Sequence, residues 1–112
     1  MHQTISREAL VASLQSVNPP VVLEALPEKY YREQHLPGAL HMPHDAVDAL
    51  APDLIPSRSA PVVVYCASAT CQDSHIAARR LTQLGYENVR VYAGGKQDWE
   101  AAGLPFDATV PA

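Results

Sequence analysis

The sequence predicts an α/β domain with a central, mainly parallel sheet of four to five strands flanked by helices on both faces. Three observations carry this expectation. Short apolar runs alternate with stretches of helical periodicity along the whole chain, the order of a repeating β–α fold. The run Val62-Val63-Val64-Tyr65 is apolar at every position instead of every second one, as in a strand buried on both faces. A length of 112 residues with 47% apolar composition suits a single domain, spanning 1–112, around one core.

The elements follow in order. Ser6 is placed to cap a helix, with Ile5 and Leu10 in the positions of a hydrophobic staple. Leu10, Leu14 and Val17 recur at helical spacing until Asn18-Pro19-Pro20 stops the run. Residues Val21 to Leu26 read as a buried strand. Pro27 suits a first helical turn, Glu28 to Gln34 fill that helix, and His35-Leu36-Pro37-Gly38 turn into a brief strand from Ala39 to Met42. A helix is expected over Asp45 to Leu54, with Pro52 near its end, then a polar loop from Pro56 to Pro61. After the Val62–Tyr65 strand, residues 67–73 are small and polar and form a loop, and Ser74 is expected to cap the next helix. There Ala77, Leu81 and Leu84 make the apolar stripe, Arg79 and Gln83 face out, and Gly85 ends the helix. Val89 to Tyr92 is a further strand, Gly94-Gly95 a turn, and Lys96 to Ala102 a last helix containing Trp99.

Composition excludes several functions. Eight Lys and Arg against twelve Asp and Glu give a formal charge of -4, without the basic face of a nucleic-acid binder or of a protein drawn to anionic membranes. No apolar run has the length of a membrane-spanning helix, and the start Met-His-Gln-Thr-Ile-Ser lacks the basic-then-apolar pattern of a signal peptide, so a cytoplasmic address is expected. Ten prolines are about twice the average share. Two cysteines, Cys66 and Cys71, are too few for a disulfide scaffold or an all-cysteine zinc site. In a reducing compartment such a pair is either inert core sulfur or reactive sulfur.

Position favours reactivity for Cys66. Ligands of open α/β sheets bind beyond the carboxyl ends of the strands, and Cys66 closes the strand expected at the centre. The loop Ala67-Ser68-Ala69-Thr70-Cys71-Gln72 has small side chains that allow its amides to curl into an anion cradle. The helix that follows adds its positive end. Both effects favour thiolate, the nucleophilic form, so a lowered Cys66 pKa is the expectation. The alternative is a buried, inert thiol, the commoner state of a free cysteine.

Beyond these arguments, the chain resembles the single-domain rhodanese-like sulfurtransferases over nearly its whole length. The matching stretches are VVLEALPEKYYREQHLPGALHMP (21–43), VVVYC (62–66), the Ala77-Ala78 and Leu81 helix ending in Leu84-Gly85-Tyr86, VRVYAGGKQDW (89–99), and Ala102-Gly103-Leu104-Pro105. The resemblance implies a rhodanese-like fold and a persulfide formed on Cys66. Sulfane sulfur would come from a small donor (a persulfide, a polysulfide or thiosulfate) and leave to cyanide or to a thiol acceptor, a protein thiol included. It implies no cofactor.

Departures from the family pattern sharpen the expectation. Active rhodaneses commonly carry arginine after the nucleophile and a cation at the fifth loop position, where this chain has Ala67 and Cys71, and Ala69 replaces the usual loop glycine. A loop without a cation binds the thiosulfate dianion poorly, so weak activity with thiosulfate is expected and a thiol-borne donor fits better. The loop is about two residues longer than the common pattern, as in related phosphatases and arsenate reductases. Those enzymes need an arginine where this chain has Gln72, so phosphatase activity is not expected. Cys71 is a candidate second thiol that resolves an oxidised Cys66 as a disulfide, or else a small residue packed under the loop. Glu24 and Leu26 replace a familiar Asp and Arg, which predicts loss of a buried charge pair.

The remaining residues read as structural. His2, His35, His41, His44 and His75 show no metal-binding spacing, so no metal is expected. His35 belongs to the Leu36-Pro37-Gly38 turn, and His75 faces solvent, the alternative being that its charge tunes the thiolate. Trp99 anchors the last helix. Arg79 and Arg80 form a solvated face from which Arg80 reaches a carboxylate. The alternatives to sulfur transfer are a dithiol redox protein using Cys66 and Cys71 and a non-catalytic binding module.

Overall fold

The structure is a computed structural model describing residues 3–109; His2 lies outside the described residues. Five parallel strands form one sheet in the order β1-β5-β4-β2-β3. They are β1 (Gln3–Thr4), β2 (Val21–Glu24), β3 (Leu40–His41), β4 (Pro61–Tyr65) and β5 (Asn88–Tyr92). The helices are α1 (Arg7–Leu14), α2 (Glu28–Glu33), α3 (Val47–Leu54), α4 (Asp73–Gln83) and α5 (Gly95–Ala101). Strand β4 is central, pairing Val63 with Val22 on one side and with Arg90 on the other.

The unbroken apolar run of β4 follows from a core on each side. Val62 and Val64 face one core, where Leu23, Val89 and Val91 meet Val47 and Ala51 of α3 and Ala77, Ala78 and Leu81 of α4. Val63 and Tyr65 face the other, with Leu10 of α1, Leu36, Tyr92 and Trp99 of α5. The layering is the predicted α/β architecture, and Trp99 anchors α5, its indole N–H donating to the Pro105 carbonyl at 2.8 Å. Ser6 caps α1, its hydroxyl accepting from the Ala9 amide at 3.1 Å. Arg80 grips Asp48 with two 2.6 Å hydrogen bonds, tying α4 to α3.

Three details differ from expectation. The first strand, β1, is two exposed residues with no apolar signal, and it pairs Thr4 with Val91. Val17 is 95% exposed, because α1 ends at Leu14. The Ser13 and Ser16 hydroxyls there donate to the carbonyls of Ala9 and Ser13, competing with the helical ladder. The buried charge pair predicted to be lost is present with a different partner. Glu24 is fully buried, and the Lys96 ammonium lies 3.0 Å from its carboxylate. Tyr65 donates its hydroxyl to Glu24 at 2.7 Å while accepting from the Leu36 amide. Burial and the neighbouring carboxylate both hold Tyr65 as a neutral phenol.

Lys96 also positions the end of β4. Its amide donates to the Cys66 carbonyl at 3.0 Å, and the Gln97 amide donates to the Ala67 carbonyl at 2.9 Å. The first turn of α5 can come this close because residue 95 has no side chain. Gly95 adopts φ +62, and a Cβ there would lie 2.9 Å from the Ala67 carbonyl carbon and 3.0 Å from the Ser68 nitrogen. The second glycine of the YAGG stretch thus serves the loop after Cys66.

Two variants test these supports. Lys96→Met leaves the Glu24 carboxylate buried without its counter-ion and is expected to cost about 3 kcal/mol or more in urea unfolding, with Glu24→Leu/Lys96→Met recovering most of the loss. A cost below about 1 kcal/mol contradicts a buried pair. Gly95→Ala is expected to cost about 2–4 kcal/mol and to speed labelling of Cys66 by a thiol reagent, because the loop must move away from the new methyl. Unchanged stability and labelling contradict the close approach.

Candidate active site

Cys66 immediately follows the central strand, at the carboxyl edge of the sheet, and is 1% exposed. The chain then leaves the sheet and curls back. The Cys71 amide donates to the Ser68 carbonyl at 3.1 Å, closing a turn across 68–71, and the Ser68 and Thr70 hydroxyls lie 3.2 Å apart. Ala67, Ala69, Thr70 and Gln72 are exposed on this loop, while Ser68 and Cys71 are half-buried. The turn returns residue 71 over the sulfur. Cys66 Sγ lies 3.4 Å from the Cys71 carbonyl oxygen and 3.2 Å from Ser74 Oγ.

The two contacts act in opposite directions. A carbonyl only accepts, so the Cys71 contact holds the sulfur as a thiol donating its proton. The Ser74 hydroxyl can turn and donate to sulfur, and the Ser74 backbone N–H in the first turn of α4 also favours thiolate. Burial outweighs both. It is the largest influence on Cys66 and, with the neighbouring Cys71 side chain, pushes the thiol up to about 11. This corrects the expected lowered pKa: in the closed loop a carbonyl faces the sulfur, the Cys71 amide is spent within the loop, and water is excluded.

Ser74 is the site residue that sequence reasoning misplaced. It does not cap α4, which begins at Asp73 after Gln72 and has no side-chain cap. It is buried, one turn before Ala77 and Ala78 on the stripe continued by Leu81. That spacing was the available signal: a polar residue on a buried stripe facing the cysteine. Both cysteines are free thiols.

The other candidates take structural positions. His35 is buried, stacked on Tyr31 at 3.9 Å, with its Nδ1–H donating to the Tyr31 carbonyl at 2.8 Å. His41 donates to the Leu26 carbonyl at 2.7 Å. The His44 amide donates to the Ala25 carbonyl, while its Nδ1 is buried with no hydrogen-bond partner. His75 is half-exposed in the first turn of α4. Among the described residues, no three His, Cys, Asp or Glu side chains gather as a metal site, and no helix is long and apolar enough to cross a membrane.

Comparison with known proteins agrees with this architecture. Residues 6–102 match the rhodanese-like domain. Over 91 residues the chain is 33% identical to an HTH-type transcriptional regulator of Mycobacterium tuberculosis, Rv0324, covering 80% of this chain and 38% of that protein. Over 86 residues it is 29% identical to the adenylyltransferase and sulfurtransferase UBA4 of Meyerozyma guilliermondii, covering 70% of this chain and 20% of that protein. The chain therefore spans well under half the length of these relatives. The crystal structure of the Alr3790 protein from Anabaena sp. superposes with a TM-score of 0.82 at 27% identity, covering 96% of this chain and 94% of that one. With its parallel five-stranded sheet, the HLPGA turn and the YAGG approach to the Cys66 loop, the chain belongs to the rhodanese-like domain family.

Proposed function

We propose that this protein is a sulfurtransferase that carries sulfane sulfur as a persulfide on Cys66. The observation that supports it most is the placement of one buried sulfur at the carboxyl end of the central strand, under a loop of small residues and 3.2 Å from the Ser74 hydroxyl. UBA4 is itself named a sulfurtransferase. In the proposed reaction the Cys66 thiolate attacks the outer sulfur of a donor, an S–S bond forms, and the donor's remainder leaves as an anion. An acceptor thiolate then attacks the outer sulfur, and Cys66 leaves as thiolate.

The surroundings define the preferred donor. Ionised Cys66 gains the Ser74 hydroxyl and amide, whereas the Cys71 carbonyl repels it, so donor entry requires that carbonyl to turn away. The amides of Ala67, Ser68, Ala69, Thr70, Cys71 and Gln72 then become available as the anion cradle. These six residues include no cation, and the Lys96 ammonium is engaged by Glu24 and the Tyr30 carbonyl. A persulfide or polysulfide therefore suits the site better than thiosulfate, whose two charges only backbone dipoles would meet. Free thiols fit a reducing, cytoplasmic setting, with a small or protein thiol as acceptor. The half-buried Cys71 at the mouth also supports a dithiol reading of the same site.

Protein carrying Cys71→Ser, treated with glutathione persulfide, is expected to gain about 32 Da on Cys66, and Cys66→Ser to gain nothing there. The rate should rise about tenfold per pH unit from neutrality upward, because the thiolate fraction grows that way below a pKa of about 11. Absence of the adduct with glutathione persulfide, polysulfide and thiosulfate alike contradicts the reading and leaves a binding module.

A further inference from the structure

The closed loop raises a difficulty for any acceptor in bulk solution. Cys66 is 1% exposed, and the carbonyl of residue 71 in the same loop packs against its sulfur. With the Cys71 carbonyl oxygen 3.4 Å from Cys66 Sγ, the Cys71 Cα lies within about 6 Å of that sulfur. Cys71 is therefore a thiol-bearing residue whose backbone already lies against Cys66, within the span a disulfide bridges. The 68–71 turn holds it there, and its half-exposed position also meets solvent.

We propose that Cys71 displaces sulfide from the Cys66 persulfide, closing a Cys66–Cys71 disulfide, so that the protein reduces sulfane sulfur to sulfide. This rests on the persulfide reading above. The electron balance is complete within named groups. The Cys71 thiolate attacks Cys66 Sγ, the bond from Sγ to the outer sulfur breaks, and the outer sulfur leaves with the electron pair as hydrosulfide. The two cysteines are oxidised by two electrons, and the sulfane sulfur is reduced by two. An external thiol reductant, as a dithiol or two equivalents of a monothiol, then restores both thiols.

Several observations favour this role over a packing role for Cys71. The position carries neither a cation nor an apolar side chain filling the core, since Cys71 belongs to neither buried cluster. Its carbonyl oxygen lies 3.4 Å from the Cys66 sulfur, and its side chain is among the influences that disfavour the Cys66 thiolate. Intramolecular attack also gains from proximity, which a thiol diffusing to a closed loop lacks. The product class follows: hydrosulfide is released, and the thiol acceptor acts as a reductant.

The experiment treats pre-reduced protein with one equivalent of glutathione persulfide, removes excess small thiols, and follows intact mass together with released sulfide. The wild-type chain is expected to lose about 2 Da, as an internal disulfide, and to release about one sulfide per protein. The Cys71→Ser protein is expected to keep the adduct of about 32 Da and to release sulfide at least tenfold more slowly, by about the margin proximity supplies. An adduct that persists equally in both proteins, with no disulfide, overturns the role of Cys71 and leaves the persulfide reading standing. Absence of the adduct in both, with no disulfide, overturns that reading and this one together.

Discussion

Lys96 holds together the parts from which the site is built. Its amide binds the Cys66 carbonyl, fixing where the loop departs from β4, while its ammonium reaches the buried Glu24 carboxylate at the end of β2 and the Tyr30 carbonyl in α2. One residue thus links the central strand, its neighbour and two helices at the carboxyl edge of the sheet. Because Glu24 is fully buried and also accepts from Tyr65, removing the ammonium strands a charge in the interior. Gly95, the residue before it, permits the approach by offering no Cβ to the loop backbone.

The burial that makes this edge rigid also determines the chemistry of Cys66. The start of α4 and the Ser74 hydroxyl favour a thiolate, but a helix terminus contributes only about 0.3–2 kcal/mol, whereas burial can move a pKa by several units. Burial prevails here, and the Cys71 carbonyl reinforces it by accepting a hydrogen bond from the thiol. The resting loop therefore favours the thiol form of Cys66, and the reaction we propose depends on how residues 67–72 reorganise when a donor arrives. Charge repulsion at the Cys71 carbonyl supplies a local reason for that movement: the same atom that stabilises the thiol destabilises the thiolate.

Much of the fold was legible because hydrophobic patterning and turn chemistry are local. Val62 to Tyr65 announced a strand with cores on both faces, and Ser6, Pro27 and Gly85 marked helix ends. The strand β1 was not legible, since Gln3 and Thr4 join the sheet through backbone pairing with β5. The site divided along the same line. Cys66 was a candidate from its place after a strand, but its raised pKa depends first on burial beneath the loop, and how a loop buries a side chain leaves no mark in residue types. The Glu24–Lys96 pair spans 72 positions, so substitution of the familiar Asp and Arg looked like a loss until the fold brought a different cation to the carboxylate.

A crystal structure of the Cys71→Ser protein reacted with glutathione persulfide tests the central claim, that Cys66 carries sulfur beneath a loop that must turn. A second sulfur about 2.05 Å from Cys66 Sγ is predicted, with the residue 71 carbonyl rotated away and loop amides facing the new atom. An unmodified Cys66 with that carbonyl still beside its sulfur would contradict the account.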